Sequence, residues 1–462
     1  MIFYILFFFF IYLSYFQFEN IKTYIIDVNH HDIKIYEKTK PYLMNNILPP
    51  ILGLIDTFLI SKITSEKYLG ITSIGDQIFS IMYIFLSFLP SVITPKISEL
   101  KSNKEDKTII NLIKNSLILT SLLGIIGNLV LLIFTKPLIL YFTGNKTIFF
   151  SEIITYIFYR NISFTFCLLN SLMFNILQSL NENEKTFKIN FISQILSMII
   201  NPLSLYLYNL KGYVLSGVLS DISLCFIYFK ILSENKKIIF NFDGFLSDSY
   251  ILIREGMGMQ IKNIINNVLY IYSNRKIISF DKEGKNLSAN IFLSRFLNLC
   301  FISLTSLNST ASNLIPSEKN INNDQIIKKR IIYWSVFISI IQSLFLYFSK
   351  FLFSYFISDN EILSICKQLI LLISLYQIIL GNYHVLEGII QGYQKFDCIS
   401  LSNIITSIPK FVAIYYSKDL FSIWLINSFI VGLKGIYYFY ILNYQQNDQQ
   451  ISKKMNNKNE FV

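Results

Sequence analysis

The chain has 462 residues, of which 53% are hydrophobic and 15% charged, with a mean hydropathy of +0.48. A soluble domain needs a charged shell around its core and does not combine these values, so the main solvent is lipid. The net charge of +11 is not a nucleic-acid signature, because Lys and Arg fall in short clusters between apolar runs, with no basic patch carrying interleaved aromatics.

Met1 to Phe18 is apolar and aromatic, too short for a comfortable span, and lacks a basic start; with the polar stretch Glu19 to Lys40 it reads as a signal- or anchor-like leader over residues 1–40. Apolar segments follow at 41–62, 69–95, 108–135, 147–180, 187–208, 212–233, 249–274, 287–315, 328–357, 362–392, 396–417 and 419–443. Each can cross about 30 Å of hydrocarbon as a helix, since about 20 residues at 1.5 Å suffice. Helices are required, because lipid offers backbone groups no hydrogen-bond partners. The expected fold is an all-α membrane protein of about twelve transmembrane helices. Residues 41–245 form an N-terminal six-helix lobe and 246–445 a C-terminal one, followed by a polar tail at 446–462.

If the segment before Pro41 is cytoplasmic, the loops on that side carry Lys101, Lys104, Lys107, Lys185, Lys236, Lys237, Lys328, Lys329, Arg330, Lys395, Lys453 and Lys454, about twice the basic content of the opposite loops. Both ends then lie inside, and the sequons at Asn145 and Asn286 fall outside. The basic stretch Arg275 to Lys285 runs against this bias. The five cysteines sit in or beside apolar segments without metal-type spacing, and the three histidines have no companion cluster, so neither a metal site nor another cofactor is expected. There is no phosphate loop and no nucleophile elbow, which disfavours ATP-driven transport by this chain alone.

The halves repeat. Lys136-Pro-Leu-Ile-Leu-Tyr-Phe returns as Lys350-Phe-Leu-Phe-Ser-Tyr-Phe, and Asn175-Ile-Leu-Gln-Ser returns as Gly388-Ile-Ile-Gln-Gly. Asn190 matches Asn403, at an offset of about 213 residues. Because six is even, the two bundles run in the same direction, related by a pseudo-twofold along the membrane normal with a central cavity between them.

Several runs, in order, resemble the multidrug and toxic compound extrusion (MATE) transporters, closest to the DinF-type branch. Leu48-Pro-Pro-Ile-Leu-Gly-Leu-Ile-Asp-Thr-Phe resembles the first helix of that family, and Phe88-Leu-Pro-Ser-Val-Ile-Thr-Pro-Lys the end of the second. Asn175-Ile-Leu-Gln-Ser-Leu-Asn-Glu-Asn-Glu-Lys-Thr is similar to the loop after the fourth helix, Ile200-Asn-Pro-Leu to the fifth, and Lys211-Gly-Tyr-Val-Leu-Ser-Gly to the Gly-rich sixth.

The resemblance implies that Asp56 takes part in cation coupling. On the residues alone, a carboxylate at a helix centre needs a cavity, a partner or a proton, and a structural hydrogen bond serves as well. Asn190, Ser197 and Asn201 are its expected neutral partners, and Pro202 an expected kink. In the second lobe Asn266, His384 and Glu387 stand near positions where family members carry acids. Asp76, Arg160, Asp221, Lys262, Arg295 and Lys410 read as snorkelling or internally paired charges. The function implied is not enzymatic. It is export of a small organic solute of cationic character by H⁺- or Na⁺-coupled antiport, by a monomer in the bilayer. A lipid-linked flippase of the wider superfamily, a polytopic membrane enzyme and a non-transporting scaffold are the alternatives.

Overall fold

A computed structural model describes residues 29–63, 66–143, 150–235, 245–280, 285–318, 321–357 and 359–459. Most of the leader and Asn145 lie outside the described residues, as do the side chains at 48–63, 66–70, 73, 141–143, 235, 321–322 and 444–459. The helices are α1 (His30–Ile63), α2 (Glu66–Leu86), α3 (Leu89–Asn103), α4 (Asp106–Thr143), α5 (Phe150–Asn161), α6 (Phe164–Ser179) and α7 (Asn183–Asn235). After them come α8 (Phe245–Phe280), α9 (Lys285–Leu314), α10 (Ile321–Ser349), α11 (Asn360–Gly392), α12 (Phe396–Tyr416) and α13 (Leu420–Asn459). Among the described residues there is no strand.

Seven of these helices are long and apolar enough to cross a membrane singly, and two bent pairs, α2 with α3 (41°) and α5 with α6 (44°), raise the number to nine. The first bend falls at Ser87 and Phe88, just before Pro90, whose missing N–H costs nothing in the first turn of α3. Helix α7 is counted once yet contains two crossings. Asn209 breaks it with φ 54° and ψ −148°, a positive-φ backbone outside the left-handed helical well that residues with a side chain rarely adopt. With α1 and α8 the architecture has twelve crossings. Helix α8 is polar at its centre: Gln260, Lys262, Asn263, Asn266 and Asn267 crowd its middle, which is viable only against protein or a cavity.

Lipid gives helices no hydrophobic reason to associate, so apolar residues face outward and small or polar ones pack. In α4, Leu122, Ile125, Ile126, Leu129 and Ile133 recur every three or four residues, and all are exposed. Gly388 shows the packing rule inside. A Cβ there would stand 2.5 Å from the Asn308 carbonyl oxygen, so only glycine lets α11 approach α9 this closely.

The repeat reappears in backbone geometry. At the end of α6 the N–H groups of Leu180, Asn181 and Glu182 donate to the carbonyls of Ile176, Gln178 and Leu177, at 2.9, 3.0 and 2.9 Å. At the end of α11 those of Tyr393, Gln394 and Lys395 donate to Ile389, Gln391 and Ile390, at 3.1, 2.8 and 3.1 Å. The left-handed residues Asn181 (φ 66°) and Gln394 (φ 58°) occupy matching places, and Gln178 and Gln391 are both buried. The sequence offset is thus an offset of structure.

Hydrogen bonds and ion pairs that join residues before 245 to residues after it gather at one end of the helices, the end carrying the Lys101, Asn181, Glu318 and Gln394 loops. Asn313 on α9 donates to the Tyr42 hydroxyl at 3.0 Å and accepts from Ser98 at 2.8 Å. Thr310 donates to Thr39 at 2.9 Å, and Lys34 pairs with Glu318. Lys96 meets Glu255 at 2.5 Å, and Asn115 donates to Asp248 at 2.6 Å. Trp334 donates to Asp32 at 2.8 Å. The start of α1 lies at this same end, together with the basic Lys101 and Lys395 loops. At the opposite end, in the exceptional basic stretch, Lys285 pairs with Glu361 at 2.5 Å, and Lys276 lies 5.6 Å from the Tyr415 ring centre. There Asp419 caps α13 by accepting from the Ser422 N–H at 2.8 Å, which holds its carboxyl below its usual range.

Candidate transport site

Asp56 lies on the helical backbone of α1, and its side chain lies outside the described residues. Its three expected partners spread along the first arm of α7 and bond to different groups. Asn190 donates to Asn45 of α1 at 2.7 Å and accepts from the Tyr228 hydroxyl on the second arm. Ser197 shares a hydrogen bond with Ser220 at 3.3 Å, and Asn201 accepts from Ser216 at 2.9 Å. Asn190 and Asn201 are three turns apart, about 16 Å, and among the described side chains, which on α1 end at Ile47, Asn190 is the one of the three that reaches α1. The non-helical residue in α7 is Asn209; Pro202 sits inside the helix two turns earlier.

A second polar cluster in this half unites charges that looked separate in the sequence. The Arg160 guanidinium on α5 donates to Asp221 at 3.0 Å and to Ser163 at 3.2 Å, and it lies 4.7 Å from the centre of the Phe79 ring. Asp221 also accepts from the Cys167 thiol at 3.1 Å, while Asp76 on α2 accepts from the Tyr156 hydroxyl at 2.7 Å. Two carboxylates therefore share the neighbourhood of one guanidinium. Only the pairing of Arg160 with Asp221 is direct.

The C-terminal half is built around Glu387, fully buried on α11. It accepts from the Lys262 ammonium of α8, from the Tyr383 hydroxyl at 2.8 Å and from the Gln391 amide at 3.2 Å. Three donors on one carboxylate hold it as an acceptor, and Lys262 supplies the countercharge that a buried anion requires. His384 packs its ring 4.8 Å from that of Phe301, and its Nε2 is buried with no partner. Asn266 is exposed, one turn beyond Lys262 on α8. Of the two roles open to Lys262 in the sequence, snorkelling or internal pairing, internal pairing is the one found. Its signal was the polarity of the α8 segment, which argues against a lipid-facing snorkel. Among the described residues no three His, Cys, Asp or Glu side chains converge as metal ligands.

Comparison with known proteins agrees with this arrangement. The MatE family model matches twice, over residues 41–203 and 259–416. Among solved structures, a mutant of the Vibrio cholerae MATE transporter VcmN aligns at a TM-score of 0.81 with 12% identity, covering 90% of this chain and 96% of that one. An outward-facing multidrug resistance MATE family transporter of the MOP superfamily aligns at 0.78 with 14% identity, covering 89% and 95%. A MOP superfamily transporter from Pyrococcus furiosus gives the same four values. At these identities the likeness establishes the fold alone. No curated protein matches the sequence. Because the family model covers most of both halves, the chain belongs to the MATE family: it is a multi-pass membrane transporter and not an enzyme.

Proposed function

We propose that the chain exports a small organic solute by H⁺- or Na⁺-coupled antiport, with residues 41–245 and 246–445 rocking as two lobes about a central site. The observation that carries this reading is the gathering of polar contacts between the halves at the end with the basic loops. Alternating access needs such an arrangement, one face held shut by contacts that can break while the other face opens. An interhelical hydrogen bond in a membrane contributes about 0.6 kcal/mol on average. No single bond fixes this state. The set does, and ion and solute can shift it only through different affinities for the two conformations. We assign that difference to Asp56 and to the Lys262–Glu387 pair.

A covalent lock tests the reading. The hydroxyl oxygens of Thr39 and Thr310 are 2.9 Å apart, which brings their Cβ atoms close to the spacing a disulfide needs. In a background with the five native cysteines replaced, Thr39→Cys with Thr310→Cys should oxidise readily, and solute flux in vesicles should fall at least tenfold and return on reduction. Full flux by the oxidised protein would contradict a rocking mechanism.

A further inference from the structure

Charge inside the C-terminal half is unbalanced. Away from the first turns of α8 to α13, the carboxylates among the described side chains are Glu255, which pairs with Lys96, and Glu387, whereas Lys262, Lys410 and Lys434 all lie inside these helices. Glu387 is already committed to Lys262. Lys434 on α13 is 6% exposed, and its ammonium donates to the Asn403 side-chain oxygen at 2.6 Å, a neutral acceptor. Tyr383 separates it from Glu387. The ring centre of Tyr383 is 5.9 Å from the Lys434 nitrogen, while its hydroxyl is spent on the carboxylate. Lys410 lies two turns beyond Asn403 on α12, half-buried. Among the described residues no hydrogen bond or ion pair reaches it, and it stands about 10 Å along the helix from the Asn403 side chain that holds Lys434.

An ammonium has three donors and in a membrane interior must find acceptors for them. Lys434 has one acceptor and Lys410 none. A negative group supplies both the acceptors and the countercharge that these two ammonium groups call for.

We propose that Lys410 and Lys434, backed by the Lys262–Glu387 pair, form a subsite for an anionic group, a carboxylate, sulfonate or phosphate, so that the transported molecule is an organic anion or zwitterion rather than an organic cation. This rests on the transport reading for its role but not for its chemistry. The negative group comes either from a free solute or from a lipid headgroup, and the two are separable.

The test uses the purified full chain in nanodiscs of phosphatidylcholine, with binding of fluorescein, an organic anion, followed by anisotropy. Fluorescein should bind, and tetraphenylphosphonium, an organic cation, should not displace it. Lys434→Met should weaken binding at least tenfold, Lys410→Met severalfold, and Lys434→Arg should keep it within about threefold, which separates loss of charge from misfolding. Nanodiscs with phosphatidylglycerol identify the source: displacement of fluorescein assigns the subsite to a lipid headgroup, and unchanged binding assigns it to a free solute. Binding of the cation in place of the anion, or wild-type fluorescein binding by both lysine-to-methionine variants, would overturn the proposal. Lysine-dependent binding without any flux in vesicles would sink the transport reading and leave the subsite standing.

Discussion

Lys262→Met should abolish transport and destabilise the protein, because it leaves the fully buried Glu387 carboxylate without its cation. Removing one partner of a buried ion pair costs about 3–5 kcal/mol, since the remaining charge stays desolvated, whereas removing both is often close to neutral. Lys262→Met combined with Glu387→Gln should therefore recover most of the lost thermal stability while flux stays absent. Tyr383 and Gln391 can still bond to the amide in that double variant. Thermal unfolding in detergent and flux in vesicles measure the two effects separately. A double variant as unstable as the single one would show that Glu387 is held by something other than this lysine. If instead both variants transport normally, the pair is structural only and has no part in coupling.

Asp56→Asn should leave insertion and folding intact and reduce gradient-driven flux to background. The substitution keeps the hydrogen-bonding shape of the side chain and removes its titratable charge, so whatever the carboxylate does by binding H⁺ or Na⁺ is lost while its packing survives. Solute binding should persist, since Asn190, Ser197 and Asn201 have bonds of their own along α7 that do not need the carboxylate. Full transport by Asp56→Asn across a range of pH and Na⁺ gradients would make Asp56 a structural hydrogen bonder. Coupling would then move to Glu387 and His384.

The crossings were legible in the sequence because the bilayer imposes one rule on every segment: satisfy the backbone internally and show lipid an apolar face. The stripe in α4 obeys that rule. So was the duplication, since Gln178 and Gln391 mark helix ends whose backbone bonds coincide group for group. Phe88-Leu-Pro gave notice of the bend between α2 and α3, although the sequence reading carried one straight span across it. What stayed hidden were pairings across helices. Arg160 and Asp221 are 61 positions apart, and Lys262 and Glu387 are 125 apart. Periodicity reports which face of a helix a residue occupies. It does not report which neighbouring helix meets that face, or at what height. For the same reason Asn190, Ser197 and Asn201 looked like one site on α7, while each in fact meets a different residue of the opposing arm.

The most direct test of coupled export is solute flux in vesicles holding the wild-type chain, with H⁺ and Na⁺ gradients imposed one at a time. The account predicts that one of these gradients drives solute uphill against the direction of ion flow, and that collapsing the gradient with an ionophore stops it. Flux that is unchanged by either gradient, or no greater than in protein-free vesicles, would contradict it.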